Sequence, residues 1–251
     1  MCKTVLVLYF LGIQSVLYAQ EKVKALPLAY KTTWAVGITS NSNSGLVGGL
    51  AVRHSILQTS NWRGTVLYRY FNLEVVNVKD PQENRIQTTG DSFISDKQNS
   101  FLVTRAHWGR EVAFLRQPTE DGVQLTGAIA IGPSVGLTKP YYIQYRDPSS
   151  QIVTEIPYDP LHSTLNQDNI VGSGSPLKGF NQATIYPGAN VKLGVIAELA
   201  AFPEGSVGLE VGGLLEYMPG NVIILASKGS LHLFPSGYIT FFVAFKRTPR
   251  K

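Results

Sequence analysis

Past residue 20 the chain lacks any apolar run that could serve as a membrane-crossing helix, which needs about 20 residues, so a helical membrane protein is excluded. It has a single cysteine, Cys2, which precedes the first apolar segment. That position rules out a lipid-acceptor role, and the rest of the chain has no disulfide or thiolate metal site. Charge is sparse and nearly balanced, with 22 Lys and Arg against 17 Asp and Glu. Basic residues are scattered except for the tail Lys246, Arg247, Arg250 and Lys251. No basic stripe interleaves with exposed aromatics, so a nucleic-acid partner is not expected. There is no phosphate-cradling glycine motif, zinc spacing or carboxylate pair, and no cofactor or metal is expected.

The amino-terminal segment has the form of a secretory signal. Lys3 supplies a positive start, Thr4 to Leu17 is uncharged and mostly apolar, and Ala19 precedes the charged stretch Gln20-Glu21-Lys22. Residues 1–20 are therefore expected to be a cleaved signal peptide, followed by a short periplasmic segment, 21–31.

What the chain has in abundance is alternation. Between Gly122 and Thr138, Val123, Leu125, Ile129, Ile131, Pro133, Val135 and Leu137 share one face, and Gly127 is its only gap. The other face is Gln124, Thr126, Ala128, Ala130, Gly132, Ser134, Gly136 and Thr138. Period two marks a strand whose faces meet different surroundings. An aliphatic stripe suits lipid, and a face of small residues suits a tightly curved wall around crowded space. The stretch exceeds the roughly 9–11 tilted residues that cross an outer membrane.

Seven further strands fit this pattern: Thr32 to Asn41, Leu46 to Ile56, Val66 to Val76, Phe101 to Arg116, Ala189 to Leu199, Val207 to Tyr217 and Gly237 to Arg247. The turns 59–64, 117–122 and 203–206 are short, and the stretches 77–100, 139–183 and 218–236 read as loops. Short and long connections alternate, which places the short ones at one end, as in bacterial barrels with short periplasmic turns. Pro133 and Pro187 are expected above the hydrocarbon, because proline cannot donate to a ladder. Trp62, Phe114, Phe202 and Phe245 near the turns, and Tyr141, Tyr142, Tyr186, Tyr217 and Tyr238 near the loops, read as two interfacial girdles. The fold class expected is all-β: an eight-stranded antiparallel up-and-down transmembrane barrel over 32–247, with long extracellular loops and a basic tail, 248–251.

In this alternation over 32–247, the chain resembles the small eight-stranded outer-membrane barrels of Gram-negative bacteria, the OmpA/OmpX-like group. The segment Leu17-Tyr18-Ala19-Gln20 and the strand–loop pattern resemble versions from the Bacteroidota. The final strand departs from the usual assembly signal, since Phe245 is followed by KRTPRK. The resemblance implies an outer-membrane location and lipid contacts. Its members include inert anchors, adhesion proteins, lipid-modifying enzymes and accessory subunits of secretion or barrel-assembly machines, so it leaves function open.

Two groups of residues are candidates. Arg53, Arg105, His107 and Lys192, with Glu111, Glu198, Glu210 and Glu216, fall on the inward faces. Eight strands enclose only enough space to be filled by side chains, so these charges are expected to form a paired plug. Above the barrel, Tyr141, Tyr142, Tyr145, Ile156 and Tyr158 are too apolar for a floppy tether and are expected to form an ordered binding surface, with packing on one another as a cap over the lumen as the alternative. His54-Ser55 is an adjacent His/Ser pair, but strand neighbours point to opposite faces and cannot act as base and nucleophile. Asp147, Asp159, His162 and Asp168 lack recognisable cation-ligand spacing. Arg110, on an apolar face, has no evident reason. The expected function is non-enzymatic: a barrel acting through its loops as an anchor or accessory subunit of an outer-membrane assembly, with a protein partner. The alternatives are a lipid-modifying enzyme and a narrow pore.

Overall fold

The computed structural model describes residues 32–58, 66–88, 90–115, 123–161, 165–202 and 205–247, with the side chains of 45–47, 115 and 200–202 left aside. The signal-like segment, residues 21–31, the tail and most of the three short turns lie outside these residues. In chain order the strands are β1 (Thr32–Asn41), β2 (Gly45–Leu57), β3 (Leu67–Val78), β4 (Asn84–Gln87), β5 (Ser92–Ser95), β6 (Asn99–Leu115) and β7 (Val123–Pro140). Then follow β8 (Tyr142–Arg146), β9 (Val153–Pro157), β10 (Ile170–Ser173), β11 (Thr184–Phe202), β12 (Gly205–Val222) and β13 (Leu231–Arg247).

Eight of them close a barrel in the order β1-β13-β12-β11-β7-β6-β3-β2, with every neighbouring pair antiparallel. Closure leaves no edge strand to be capped or to aggregate. Partners across successive strands run Trp34, His54, Phe71, Trp108, Ile131, Val191, Leu215, Pro235. Continued past its last pair, Asn41 with Tyr238, the β13–β1 register would place Pro235 level with Ser44, ten residues above the start. For eight strands such a stagger gives a tilt within the usual range of about 35–45°.

The alternation read in the sequence is the inside–outside alternation of the wall. Leu50, Trp108, Leu193 and Phe241 are each more than half exposed, whereas Ala51, Arg105, Ala128, Ala130 and Thr240 are buried. Small inward residues let neighbouring backbones close tightly. A Cβ on Gly132 would lie 1.8 Å from the Ala106 carbonyl oxygen. The Gly132→Val variant is therefore expected to lose stability by about 1–3 kcal/mol, as overpacked sites do. Its denaturant midpoint after refolding into lipid, compared with that of an outward Ile131→Val, checks this.

Several strands outrun their expected bounds. β7, β11 and β12 hold 18, 19 and 18 residues, and β13 starts at Leu231, inside the expected 218–236 loop. Pro187 does not mark a strand end: it lies within the β7–β11 ladder opposite Val135, and Pro133 faces Ala189. The β6–β7 pairing skips from Arg105 to Trp108 beside Pro133, as expected where a residue has no N–H to give.

The 77–100 and 139–183 loops are also structured. β4 pairs with β5, and β8 lies between β9 and β10. Asp91 N donates to Val171 O at 3.0 Å and Ser173 Oγ to Ser92 O at 2.5 Å, joining the two small sheets.

Candidate functional site

The lumen is filled by one connected column of charge. At the short-turn end Lys246 Nζ lies 2.9 Å from Glu198, which also takes Arg53 Nη2 at 2.7 Å and the Ser206 hydroxyl at 3.1 Å. Arg53 faces Glu111 and Glu210 at 3.9 Å each. Lys192 joins Glu210, at 3.1 Å, to Glu74. Glu74 lies 3.9 Å from Arg105, whose Nε and Nη2 donate to the two oxygens of Glu216 at 3.0 and 2.9 Å. Neutral donors complete the carboxylates: Tyr238 to Glu210 at 2.7 Å, Ser55 to Glu111 at 2.9 Å and Asn72 to Glu74 at 2.8 Å. His107 Nδ1 stands 3.4 Å from Asn72 Nδ2.

All eight inward residues expected from the sequence enter or border this column, and each is buried. Charges this deep are tolerated only with partners at hand. Aromatic rings cover two of the cations, Phe242 under Arg53 and Tyr238 under Lys192, each at 4.3 Å. Toward the loop end Val76, Val78, Phe101, Val103, Met218, Val222, Ile224 and Phe234 form an apolar cap. At the opposite end the space beside Glu111, Glu198 and Lys246 is about 20 Å³, room for roughly one water.

Two members of the column were missed in the sequence. Glu74 sits where the faces of β3 look mixed, since its inward side is Tyr70, Asn72 and Glu74, polar but not small. Lys246 falls in the last expected strand but reads as one of the basic residues gathered at the chain end, although it continues the inward parity of Phe242 and Ala244. Tyr238 and Tyr186 depart from the expected girdle as well. Tyr238 is buried on Glu210, and Tyr186 packs against the apolar cap. Tyr217, Phe114 and Phe245 are outward and exposed, whereas Trp62 and the Phe202 side chain lie outside the described residues.

His54 and Ser55 point to opposite sides of the wall. His54 stacks on Trp34 outside, with ring centroids 4.1 Å apart, and Ser55 bonds Glu111 inside. Arg110 is outward too, and donates to Gln58.

At the loop end Phe93, Ile94, Tyr141, Ile143, Tyr158 and Ile170 form a second core, flanked by Tyr145, Ile156, Ile86 and Leu165. This corrects the reading of Tyr141 and Tyr158 as binding surface. They are buried in an edge-to-face pair 6.3 Å apart, and Ile94 N donates to Tyr141 Oη at 3.1 Å. Tyr142, Tyr145 and Ile156 are partly exposed; the apolar residues on the surface are Ile152, Val153, Leu161, Leu177 and Phe180. Burying a large ring removes much apolar surface from water, which places Phe93, Tyr141 and Tyr158 in this core. Salt bridges tie the neighbouring connections together: Lys97 to Glu83 closes the segment between β3 and β6, and Lys228 to Asp80 joins it to the β12–β13 connection, both at 2.6 Å. Burial pushes Lys97 below the usual lysine range, against the opposing pull of Glu83.

The aspartates close local turns. Asp147 accepts from Ser149 N at 2.7 Å and Ser150 N at 3.0 Å, and Asp159 accepts from Leu161 N at 3.1 Å. Among the described residues no three potential ligands converge on a metal site; His162 lies outside them. The Ser150 and Ser149 amides hold the Asp147 carboxyl below the usual aspartate range. The turn it stabilises is thus fully formed above that range and loosens only as pH falls through the depressed value. Exchange at the Ser149 and Ser150 amides, corrected for intrinsic rate, should stay slow in mild acid and quicken only in strong acid. Equal protection in Asp147→Ala would show that the carboxylate does not hold the turn.

No family model matches the chain, and no curated protein matches it. Among solved structures it is similar to Neisserial surface protein A (NspA), at 12% identity and a TM-score of 0.37, with 86% of this chain and 95% of that one covered. It is also similar to Ail, the attachment invasion locus protein of Yersinia pestis, at 8% identity and a TM-score of 0.36, covering 86% of this chain and 98% of that one.

Proposed function

We propose that the chain is a non-enzymatic outer-membrane barrel that holds a binding head above the membrane, as an anchor or accessory subunit of an outer-membrane assembly of the secretion or barrel-assembly kind. The membrane reading is supported by the outward faces, where Trp34, Val52, Leu73, Trp108, Ile129, Leu193, Val211 and Phe241 are exposed around the wall. Such a continuous apolar belt is far larger than a water-soluble surface tolerates and matches the lipid-facing band of a barrel. The observation that carries the binding reading is the loop-end sheet, which has its own core and an apolar rim, above a lumen packed with ion pairs. Loops held on a rigid scaffold are where recognition usually resides.

Purification in mild detergent tests it. The intact chain should bring down a stoichiometric protein partner, and a chain lacking 148–182 should migrate as a folded, heat-modifiable barrel without it. A lone monomer from wild-type membranes, or undiminished association after the deletion, contradicts the reading. The packed lumen also predicts no steady conductance in planar bilayers, and a stable open level would favour the pore instead. Lipid A altered in a deletion strain would favour the enzyme.

A further inference from the structure

The outer wall carries a pair of charges that neither the lumen nor the loop-end sheet uses. Arg69 on β3 and Arg110 on β6 are direct cross-strand partners. Both are exposed, and both lie on the outward face, two residues nearer the short-turn end than the exposed Phe71 and Trp108. Phe114 is outward and exposed four residues beyond Arg110, so the pair stands within the lower part of the apolar belt and not beneath it.

Like charges set directly opposite each other repel. Among the described residues neither arginine has a carboxylate within salt-bridge distance; the one side-chain bond runs from Arg110 to Gln58 Oε1. Gln58 is itself fixed to the foot of β3, its N donating to Leu67 O at 2.9 Å. One guanidinium is thus braced across a strand, with its like-charged neighbour beside it. An anion between them would turn the repulsion into attraction, and the guanidinium fork matches the oxygens of phosphate.

We propose that Arg69 and Arg110 clamp the phosphate of a phospholipid in the leaflet at the short-turn end of the barrel. A free phosphate would engage the arginines alone. A phospholipid also lays its chains on the apolar surface just above them, where Phe71, Trp108 and Ile131 are exposed. The long arginine stems lie along apolar surface while their heads reach the headgroup level. The clamp rests on the membrane reading above, and its test separates the two.

The full chain is refolded into vesicles of phosphatidylglycerol and phosphatidylcholine, and insertion is read from heat-modifiable migration. The protein is then moved into detergent and its retained lipid counted by native mass spectrometry. Failure to insert overturns the membrane reading, and the clamp with it. With insertion, wild type should retain one phosphatidylglycerol, and the Arg69→Gln/Arg110→Gln pair should retain about tenfold less at equal lipid. Each single variant should fall between, and Arg85→Gln, on β4 above the barrel, should match wild type. Diacylglycerol, which has the chains without the phosphate, should not be retained, and millimolar inorganic phosphate should not strip the bound lipid. Equal retention by the double variant, or by diacylglycerol, overturns the clamp while leaving the barrel in place. Complete displacement by inorganic phosphate overturns the lipid as its source, and a polypeptide co-eluting with wild type but not with the double variant, in place of lipid, assigns the arginines to a protein.

Discussion

Replacing Arg105 with Met destabilises the barrel by about 3–5 kcal/mol, the usual result of removing one partner from a buried ion pair. Arg105 and Glu216 are both 0% exposed and joined through two parallel hydrogen bonds. Without the guanidinium, the Glu216 carboxylate has no cation beside it among the described residues, and the link of the column to Glu74 is lost as well. The double variant Arg105→Met/Glu216→Met should recover most of this loss, because apolar replacement of a whole buried pair is often neutral or stabilising. Reversible denaturant unfolding in lipid vesicles measures both. If the single variant costs no more than a surface pair, below about 1 kcal/mol, the column is solvated and the lumen is not plugged as described.

The column was largely legible in the sequence because a strand's period is two: once the aliphatic stripe of β7 is assigned to the outside, the remaining parity in every strand is inside. Arg53, Arg105, Lys192, Glu198, Glu210 and Glu216 follow from that step alone. Glu74 did not, because the inward face of β3 holds a tyrosine and an asparagine where the reference strand β7 holds glycine, alanine and threonine. The parity of Lys246 was available, but a basic run at the chain end reads as tail. Strand tops were also hidden. Pro187 suggests a boundary, yet it stays in the β7–β11 ladder opposite Val135, two residues before the β11–β12 pairing begins at Ala189.

The loop-end sheet was legible only as composition. Tyr141, Ile143, Tyr145, Ile156 and Tyr158 signalled order, but β8, β9 and β10 hold five, five and four residues. Strands so short show too few alternations to be recognised, and their pairing joins distant segments, Tyr145 with Ile170 for example. The same distance hid which tyrosines face inward.

That sheet yields the second large effect. In Ile143→Asp a carboxylate replaces a side chain that is 0% exposed at the middle strand, between Ile156 and Ser173. Burying an unpaired charge is prohibitive, so β8, β9 and β10 should come apart while the eight barrel strands, which do not depend on Ile143, remain closed. Limited proteolysis should then cut between residues 147 and 178 without releasing the barrel's heat-modifiable shift. Protease resistance equal to wild type would mean that these strands are held by something other than the core centred on Ile143.

A closed barrel that carries an independently packed head has a distinct signature in hydrogen exchange of the wild-type chain in lipid vesicles. Exchange should be slow along β6, β7, β11, β12 and β13, and at a second protected set, Ile143, Tyr145 and Thr154, whose protection is lost in Ile143→Asp without change in the first. Exchange across residues 142–173 as fast as in an unfolded peptide, with the barrel strands still protected, would contradict the packed head.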